Sequence, residues 1–259
     1  MKIMFIGEIV GQAGVDVIKN ALAKYKEENN INFVIANAEG ATHGFGLGRR
    51  HAGYLRKLGV DILTGGEKLF YKPDLVENLG QTTYVLRPAN FPPSAPGRSY
   101  KIVTIENKKV AIVNIIGNSG VLRAAQSPYT AADYLVTKLE KEADIILLQF
   151  HVATTADAAS MFHYLDGKVQ AVIGTHSKVM TADAQVSKKG TAFISDNGRT
   201  GSFMSVGGLD PAVEIEKFVT AVPLRSSQTE ACPMLQGVIV EIIDGKVDSI
   251  KTVREEVVL

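Results

Sequence analysis

Five short apolar runs in this chain each stop at a loop carrying residues able to ligate a divalent cation. The loops are Gly7 to Gly11 (Gly-Glu-Ile-Val-Gly), Asn37 to Gly40 (Asn-Ala-Glu-Gly), Gly65 to Lys68 (Gly-Gly-Glu-Lys), Phe150 with His151, and Gly174 to Lys178 (Gly-Thr-His-Ser-Lys). None is specific alone. Their place after strand-like runs is the constraint. In an α/β sheet the loops at the carboxyl ends of strands open on one crevice, so residues distant in sequence can surround one centre.

The intervening segments support such a sheet. Ile3 to Ile6, Phe33 to Ala36 and Val60 to Leu63 read as buried strands, and Asp16 to Lys26 and Arg50 to Leu58 carry helical spacing between them. That alternation is the βαβ rhythm of a parallel sheet. Tyr84 to Leu86 predicts a short strand, and the prolines of Arg87 to Pro93 predict a rigid loop. Lys101 to Glu106 and Lys109 to Ile116 predict a hairpin turning at Asn107-Lys108, and Gly237 to Ile243 with Ser249 to Arg254 predict another around Asp244-Gly245. Helices are expected over Ala131 to Glu142 and Pro211 to Val219, with strands at Asp144 to Phe150, Ala171 to Ile173 and Thr191 to Ser195. The hairpins point to a mixed sheet or two packed sheets. No linker, repeat or low-complexity tract divides residues 1–259, so a single domain is expected.

Composition excludes several function classes. Lys+Arg 28 against Asp+Glu 27 leaves a net charge of +1, so no overall basic footprint marks a nucleic-acid binder, although a local patch stays open. The lone Cys232 rules out an intrachain disulfide and a cysteine-rich zinc site, and suits a reducing cytoplasm. No apolar stretch reaches the roughly 18 to 20 residues of a membrane span. The opening Met-Lys-Ile-Met-Phe-Ile-Gly is too short in its apolar run for a signal peptide. A cytoplasmic protein is expected. The glycines of Gly198 to Gly208 lack the phosphate-loop pattern and read as an ordinary flexible loop, with Asp196 and Asn197 just before it as weak candidates for supporting the site.

The ordered loops, together with Arg87-Pro88-Ala89-Asn90-Phe91-Pro92, Ala171 to His176, Thr181-Ala182-Asp183 and Lys189 to Ala192, resemble the calcineurin-like metallophosphoesterases and most closely the YmdB family of bacterial phosphodiesterases. The resemblance runs from the first strand to the last hairpin. It implies an α/β sandwich of mixed β-sheets flanked by helices, and a dinuclear, often iron-containing centre that hydrolyses phosphodiesters such as 2′,3′-cyclic nucleotides. It also implies a homo-oligomer.

Against the family motifs the chain departs at several ligands. Glu8 stands where Gly-Asp-x-x-Gly has Asp. Glu39 matches the bridging carboxylate of Gly-Glu-Asn, but Gly40 replaces the Asn. In the motif Gly-Asn-His, Glu67 replaces the ligand Asn and Lys68 the His used near the leaving group. His151 and His176 match second-site histidines, and Lys178 replaces the closing His of Gly-Thr-His-x-His. A charged ammonium has no acceptor and cannot ligate. The metal candidates are therefore Glu8, Glu39, Glu67, His151 and His176, with Glu39, Glu67, His151 and His176 forming one complete set for zinc, iron or manganese. Lys178 is expected to occupy the first metal's place, paired with Glu8 and Glu39, and Lys68 to pair with Glu67 or Glu8. Lys178 is also a candidate phosphate contact, as is His43, whose Thr42-His43-Gly44-Phe45-Gly46 matches a family loop; His43 otherwise orders that loop. Lys68 is the candidate proton donor, although nearby glutamates raise its pKa and a salt bridge in place of a metal is the plainer reading. His51 and His163 read as surface or packing residues.

Two functions follow. Either the chain holds one divalent iron, manganese or zinc ion and hydrolyses cyclic nucleotides or related phosphodiesters, or it binds none and is a non-catalytic scaffold, a pseudoenzyme that assembles with itself or a protein partner. The count of altered positions favours the scaffold.

Overall fold

A computed structural model describes residues 1–119 and 126–259. The first half runs β1 (Lys2–Ile6), β2 (Glu8–Ile9), α1 (Gly11–Asn29), β3 (Phe33–Asn37), α2 (Arg49–Lys57), β4 (Ile62–Thr64), the short α3 (Pro73–Val76), β5 (Val85–Leu86), β6 (Tyr100–Ile105) and β7 (Lys108–Ile116). The second runs α4 (Pro128–Leu139), β8 (Ile145–His151), α5 (Thr155–Leu165), β9 (Ala171–Thr175), β10 (Gln185–Val186), β11 (Ala192–Ile194), β12 (Arg199–Ser202), α6 (Pro211–Thr220), β13 (Pro233–Ile243) and β14 (Lys246–Glu256).

Two mixed sheets result, as expected. One has the order β2-β12-β13-β1-β3-β4-β5 with β14 on β13, and the other has β10-β11-β9-β8-β7-β6. Within them β1, β3, β4 and β5 are mutually parallel, as are β7, β8, β9 and β11. The period-two alternation of a strand sorts the side chains into layers. Ile3 and Phe5 of β1 face the second sheet, packing in one cluster with Ile112, Leu147 and Ile173. Met4 and Ile6 face the other way, onto Val17, Ile18, Leu22 and Leu55 of α1 and α2. The second sheet's outer face, with Val113, Ile146 and Leu148, is covered by Leu135 and Leu139 of α4 and Met161 and Phe162 of α5. The order of layers is helix, sheet, sheet, helix, and the carboxyl ends of the parallel strands in both sheets point to one edge.

Three expectations are corrected. The first hairpin turns at Glu106-Asn107, one residue earlier than predicted. Both residues have positive φ (46° and 63°), which a two-residue type I′ connection requires, and Ile105 opposite Lys108 then closes the register. The helix after the undescribed stretch starts at Pro128 and ends at Leu139, because proline at the first helical position needs no N–H partner. Gly198 to Gly208 is no flexible loop. Arg199–Ser202 is a buried strand, parallel to β2 and antiparallel to β13, whose polar side chains are satisfied by backbone. Thr200 Oγ1 donates to Gln236 O (3.1 Å) and Ser202 Oγ to Ala231 O (2.7 Å). A run so polar has no hydrophobic period, and only its partners reveal it.

The second hairpin turns at Asp244-Gly245 as predicted, with longer strands than the pattern showed. The helix α6 matches its prediction but buries no side chain. Among the described residues no helix is long and apolar enough to cross a membrane.

Candidate metal centre

Each of the five loops delivers its residue to the same edge. Glu8 opens β2 directly after β1, with its backbone paired to Arg199. Glu39 follows β3, Glu67 follows β4, His151 ends β8 and His176 follows β9. The register His151 opposite Thr175 places the two imidazoles side by side, with His176 Nδ1 3.0 Å from His151 Nε2. His151 can reach this far inward because Gly66 lies against its ring: a Cβ on Gly66 would stand 2.0 Å from Cδ2.

The buried His151 Nε2 lies 2.9 Å from Glu67 Oε2 and 3.2 Å from Glu39 Oε1. On its other side Nδ1 meets Thr175 Oγ1 at 2.9 Å and Asn37 Nδ2 at 3.2 Å, which fixes the ring plane. Glu39 Oε2 accepts from the backbone N–H of Gly66 (2.5 Å) and of Lys68 (3.2 Å). One ligand atom from each of Glu39, Glu67, His151 and His176 falls within 4.8 Å of the others. The four residues expected to form one ligand set are thus gathered.

Their charges are interlocked. Burial alone would lower the His151 pKa, but Glu39 and Glu67 reverse this and raise it to about 10, so without a cation the ring is protonated at neutral pH. Burial would raise Glu39, yet His151 and Lys68 hold it down to about 2. His176 is pushed down to about 4, first by burial and then by the His151 charge, so it is neutral with a free lone pair. Lys68 Nζ contacts Glu67 Oε1 (3.0 Å) and Glu39 Oε1 (3.4 Å). Burial opposes its charge, but Glu8, Glu39 and Glu67 outweigh that and raise its pKa. A proton donor needs the opposite shift, so Lys68 is a fixed charge here.

The Glu8 side is built differently. Glu8 is fully buried, and Lys178 Nζ lies 3.2 Å from its Oε1. That contact lacks hydrogen-bond alignment, and neither Glu8 oxygen has a hydrogen-bond partner among the described residues. Burial, opposed by Lys178, raises its pKa. Lys178 pairs with Glu8 as expected, but not with Glu39, whose ammonium partner is Lys68. A Cβ on Gly40 would stand 2.7 Å from Glu8 Oε1, so the Glu8 carboxylate fills the space a side chain at position 40 would take.

Two supporting residues were weakly signalled or missed. Buried Asp196 accepts from Ser177 N (2.7 Å) and Gly198 N (2.8 Å), and burial raises its pKa to about 7. Arg199, which no motif marked, donates to the carbonyls of Lys178 (3.2 Å), Ser202 (3.0 Å) and Phe203 (3.2 Å). The bond to Lys178 O holds a strained segment in which His176 (φ 123°) and Lys178 (φ 63°) both have positive φ. Of the remaining candidates, His43 is outside the cluster. It is exposed, with Nδ1 3.3 Å from Gln228 Nε2. His51 is half-buried and meets Thr42 Oγ1 at 2.8 Å.

A family model described as YmdB-like protein matches residues 4–253. The chain belongs to the YmdB-like family. A 2′,3′-cyclic-nucleotide 2′-phosphodiesterase of Bacillus subtilis is 34% identical, covering 98% of this chain and 96% of that one. A putative phosphatase/phosphodiesterase of Mycoplasma pneumoniae is 32% identical over 97% and 91% of the two chains. A crystal structure of a novel phosphatase from Mycoplasma pneumoniae superposes with a TM-score of 0.92 at 30% identity, covering 99% and 93%. A putative 5′-nucleotidase from Staphylococcus aureus (TM-score 0.63, 13% identity, covering 98% and 54%) shares the fold alone. The sandwich is thus of metallophosphoesterase and nucleotidase type, in a family whose relatives carry phosphodiesterase and phosphatase names.

Proposed function

We propose that this YmdB-like protein is a one-metal phosphodiesterase acting on 2′,3′-cyclic nucleotides or related phosphodiesters. The observation that carries the reading is the gathering of four ligand atoms from Glu39, Glu67, His151 and His176 within 4.8 Å. Two imidazole nitrogens and two carboxylates suit zinc, iron or manganese. Beside this set the buried Glu8 carboxyl has no hydrogen-bond partner among the described residues and faces the Lys178 ammonium at 3.2 Å. A bound divalent cation supplies Lewis-acid polarisation of a phosphoryl group and acidifies water.

The chain's own residues do the rest. His151 gives up its Nε2 proton when a cation is bound, while Thr175 and Asn37 keep the ring oriented. Lys178 and Lys68 are point charges for phosphoryl oxygens. The charge balance supports this division. Metal-free, the three carboxyl groups of Glu8, Glu39 and Glu67 face three cations, Lys68, Lys178 and the His151 imidazolium. Exchanging the His151 proton for a divalent ion adds one positive charge, opposite to a phosphodiester's. The whole-chain relatives, by their names, also weigh toward a hydrolase rather than the scaffold that motif counting favoured.

Elemental analysis of protein purified without added metal or chelator tests this. About one equivalent per chain, lost in His151→Ala together with cyclic-nucleotide hydrolysis, is the expected outcome. No metal, and no uptake of iron, manganese or zinc, sinks it. The cationic neighbour that each carboxyl group has in the metal-free protein favours a second reading in that event, a metal-free scaffold.

A further inference from the structure

The helix α2, Arg-Arg-His-Ala-Gly-Tyr-Leu-Arg-Lys, has four cationic residues and no carboxylate, and the metal centre uses none of it. It forms one wall of a cavity of about 920 Å³. Arg49, Arg50, Tyr54 and Lys57 line this cavity, with His43 on its rim. Asp74 is its one carboxylate, and its Oδ2 already accepts from Arg49 N (2.9 Å). Arg56 is turned away, onto Asp61 at 2.9 Å. Among the described residues the side-chain cations of Arg49, Arg50 and Lys57 have no ion-pair partner, whereas the lysines of the metal centre are all paired. In the same wall the pKa of His51 is lowered, first by burial and then by His43 and Arg50, with Asp74 opposing.

Two segments run from the metal centre into the cavity lining, Glu39 to Thr42 and His43, and Glu8 to Gln12. Gly40 packs against Glu8 and accepts from Gly11 N (2.9 Å), and His43 follows three residues later, a reach of at most about 11 Å along the chain. Gln228 ties the two walls together. Its Oε1 accepts from Gln12 N (2.6 Å) and its Nε2 meets His43 Nδ1.

The geometry points to this cavity as a subsite for a second nucleotide unit of a single-stranded oligonucleotide whose neighbouring phosphodiester lies at the metal centre. Planar guanidinium groups at Arg49 and Arg50 match a phosphate in bidentate fashion. Tyr54, 37% exposed, offers a face on which a base stacks. The near-neutral whole chain hides this patch, because α2's charge is offset elsewhere. The role as a substrate subsite rests on the phosphodiesterase reading; the binding itself does not.

Fluorescence anisotropy of the full chain with a labelled single-stranded oligouridylate tests it. Arg49→Ala with Arg50→Ala is expected to weaken binding about tenfold or more. It should also flatten the salt dependence by about 1.4 in log–log slope, about 0.7 for each lost phosphate contact. Tyr54→Ala should weaken binding about tenfold with the slope unchanged. Arg50→Gln alone, a single change at an exposed position, gives half the slope change if the double variant folds poorly. His151→Ala should lose metal and the grip on the neighbouring phosphodiester, while the effects of the Arg49, Arg50 and Tyr54 variants persist in that background, so failure of the metal reading and failure of the subsite are separable. Unchanged binding in the arginine variants overturns the proposal, as does uridine monophosphate competing as well as the oligonucleotide.

Discussion

The two halves of the strand-end site solve the same electrostatic problem in different ways. On the His151 side, lone-pair donors converge within 4.8 Å and a proton on His151 holds the carboxylates together. On the Glu8 side a lysine faces a carboxylate at 3.2 Å without hydrogen-bond alignment. The first arrangement can exchange its proton for a cation. The second has an ammonium with no lone pair, fixed on a strained backbone by Arg199. The lesson is that one loop can serve both arrangements: the segment after β9 carries His176 into the four-residue cluster and, two residues on, Lys178 onto Glu8.

The largest effect should come from breaking the open half. His151→Ala removes the atom that all the other ligands face, and metal content by elemental analysis should fall from about one equivalent per chain to none.

Converting the closed half should be nearly as visible. Glu8→Asp with Lys178→His shortens the carboxylate to the family's length and restores an imidazole, and metal content should rise toward two equivalents. A value still at one would show that the positive φ at Lys178 aims the new ring elsewhere.

Breaking the closed half is expected to lower stability rather than metal content. Lys178→Ala leaves Glu8 buried without a cation, a loss of about 3–5 kcal/mol. Denaturant unfolding checks it, and adding Glu8→Gln should recover much of the loss.

The pH dependence separates the halves next. For the raised His151 pKa, stabilisation of the metal-free protein is complete below 6.5 and is lost as pH rises toward about 10. Asp196, raised from 3.8 to about 7, loses its contribution in the same direction between those values. His176, lowered from 6.5 to about 4, gains its contribution over nearly the same range and offsets Asp196. The metal-free melting temperature should therefore fall between about pH 6.5 and 10, while metal affinity, which requires the His151 proton to leave, should rise. Thermal unfolding checks the first sign and isothermal titration with metal the second.

The smallest effect tests the coupling of Glu8 with Gly40. Gly40→Ala should destabilise by about 1–3 kcal/mol through overpacking against Glu8 Oε1. In a Glu8→Asp background the penalty should shrink.

Much of the fold and site could be read from one chain. Apolar runs ending at Glu8, Glu39, Glu67, His151 and His176 placed these residues at strand ends, and the ligand motifs were legible because each depends on a local strand–loop unit. The strand Arg199–Ser202 was not legible. Its four residues are satisfied by β2, β13 and distant carbonyls, none of which leaves a period in the sequence. The cationic wall of α2 was diluted in the net charge of +1.

Residue type and order alone settle which groups stand at the strand ends, and that Lys178 cannot ligate while charged, because those follow from local periodicity and side-chain chemistry. Which ammonium meets which carboxylate follows only from packing. Lys68 meets Glu39 and Glu67, and Lys178 meets Glu8, on a loop whose backbone carbonyl at Lys178 accepts from Arg199. Such choices are set by contacts between loops far apart in sequence, where a displacement of an ångström changes the partner.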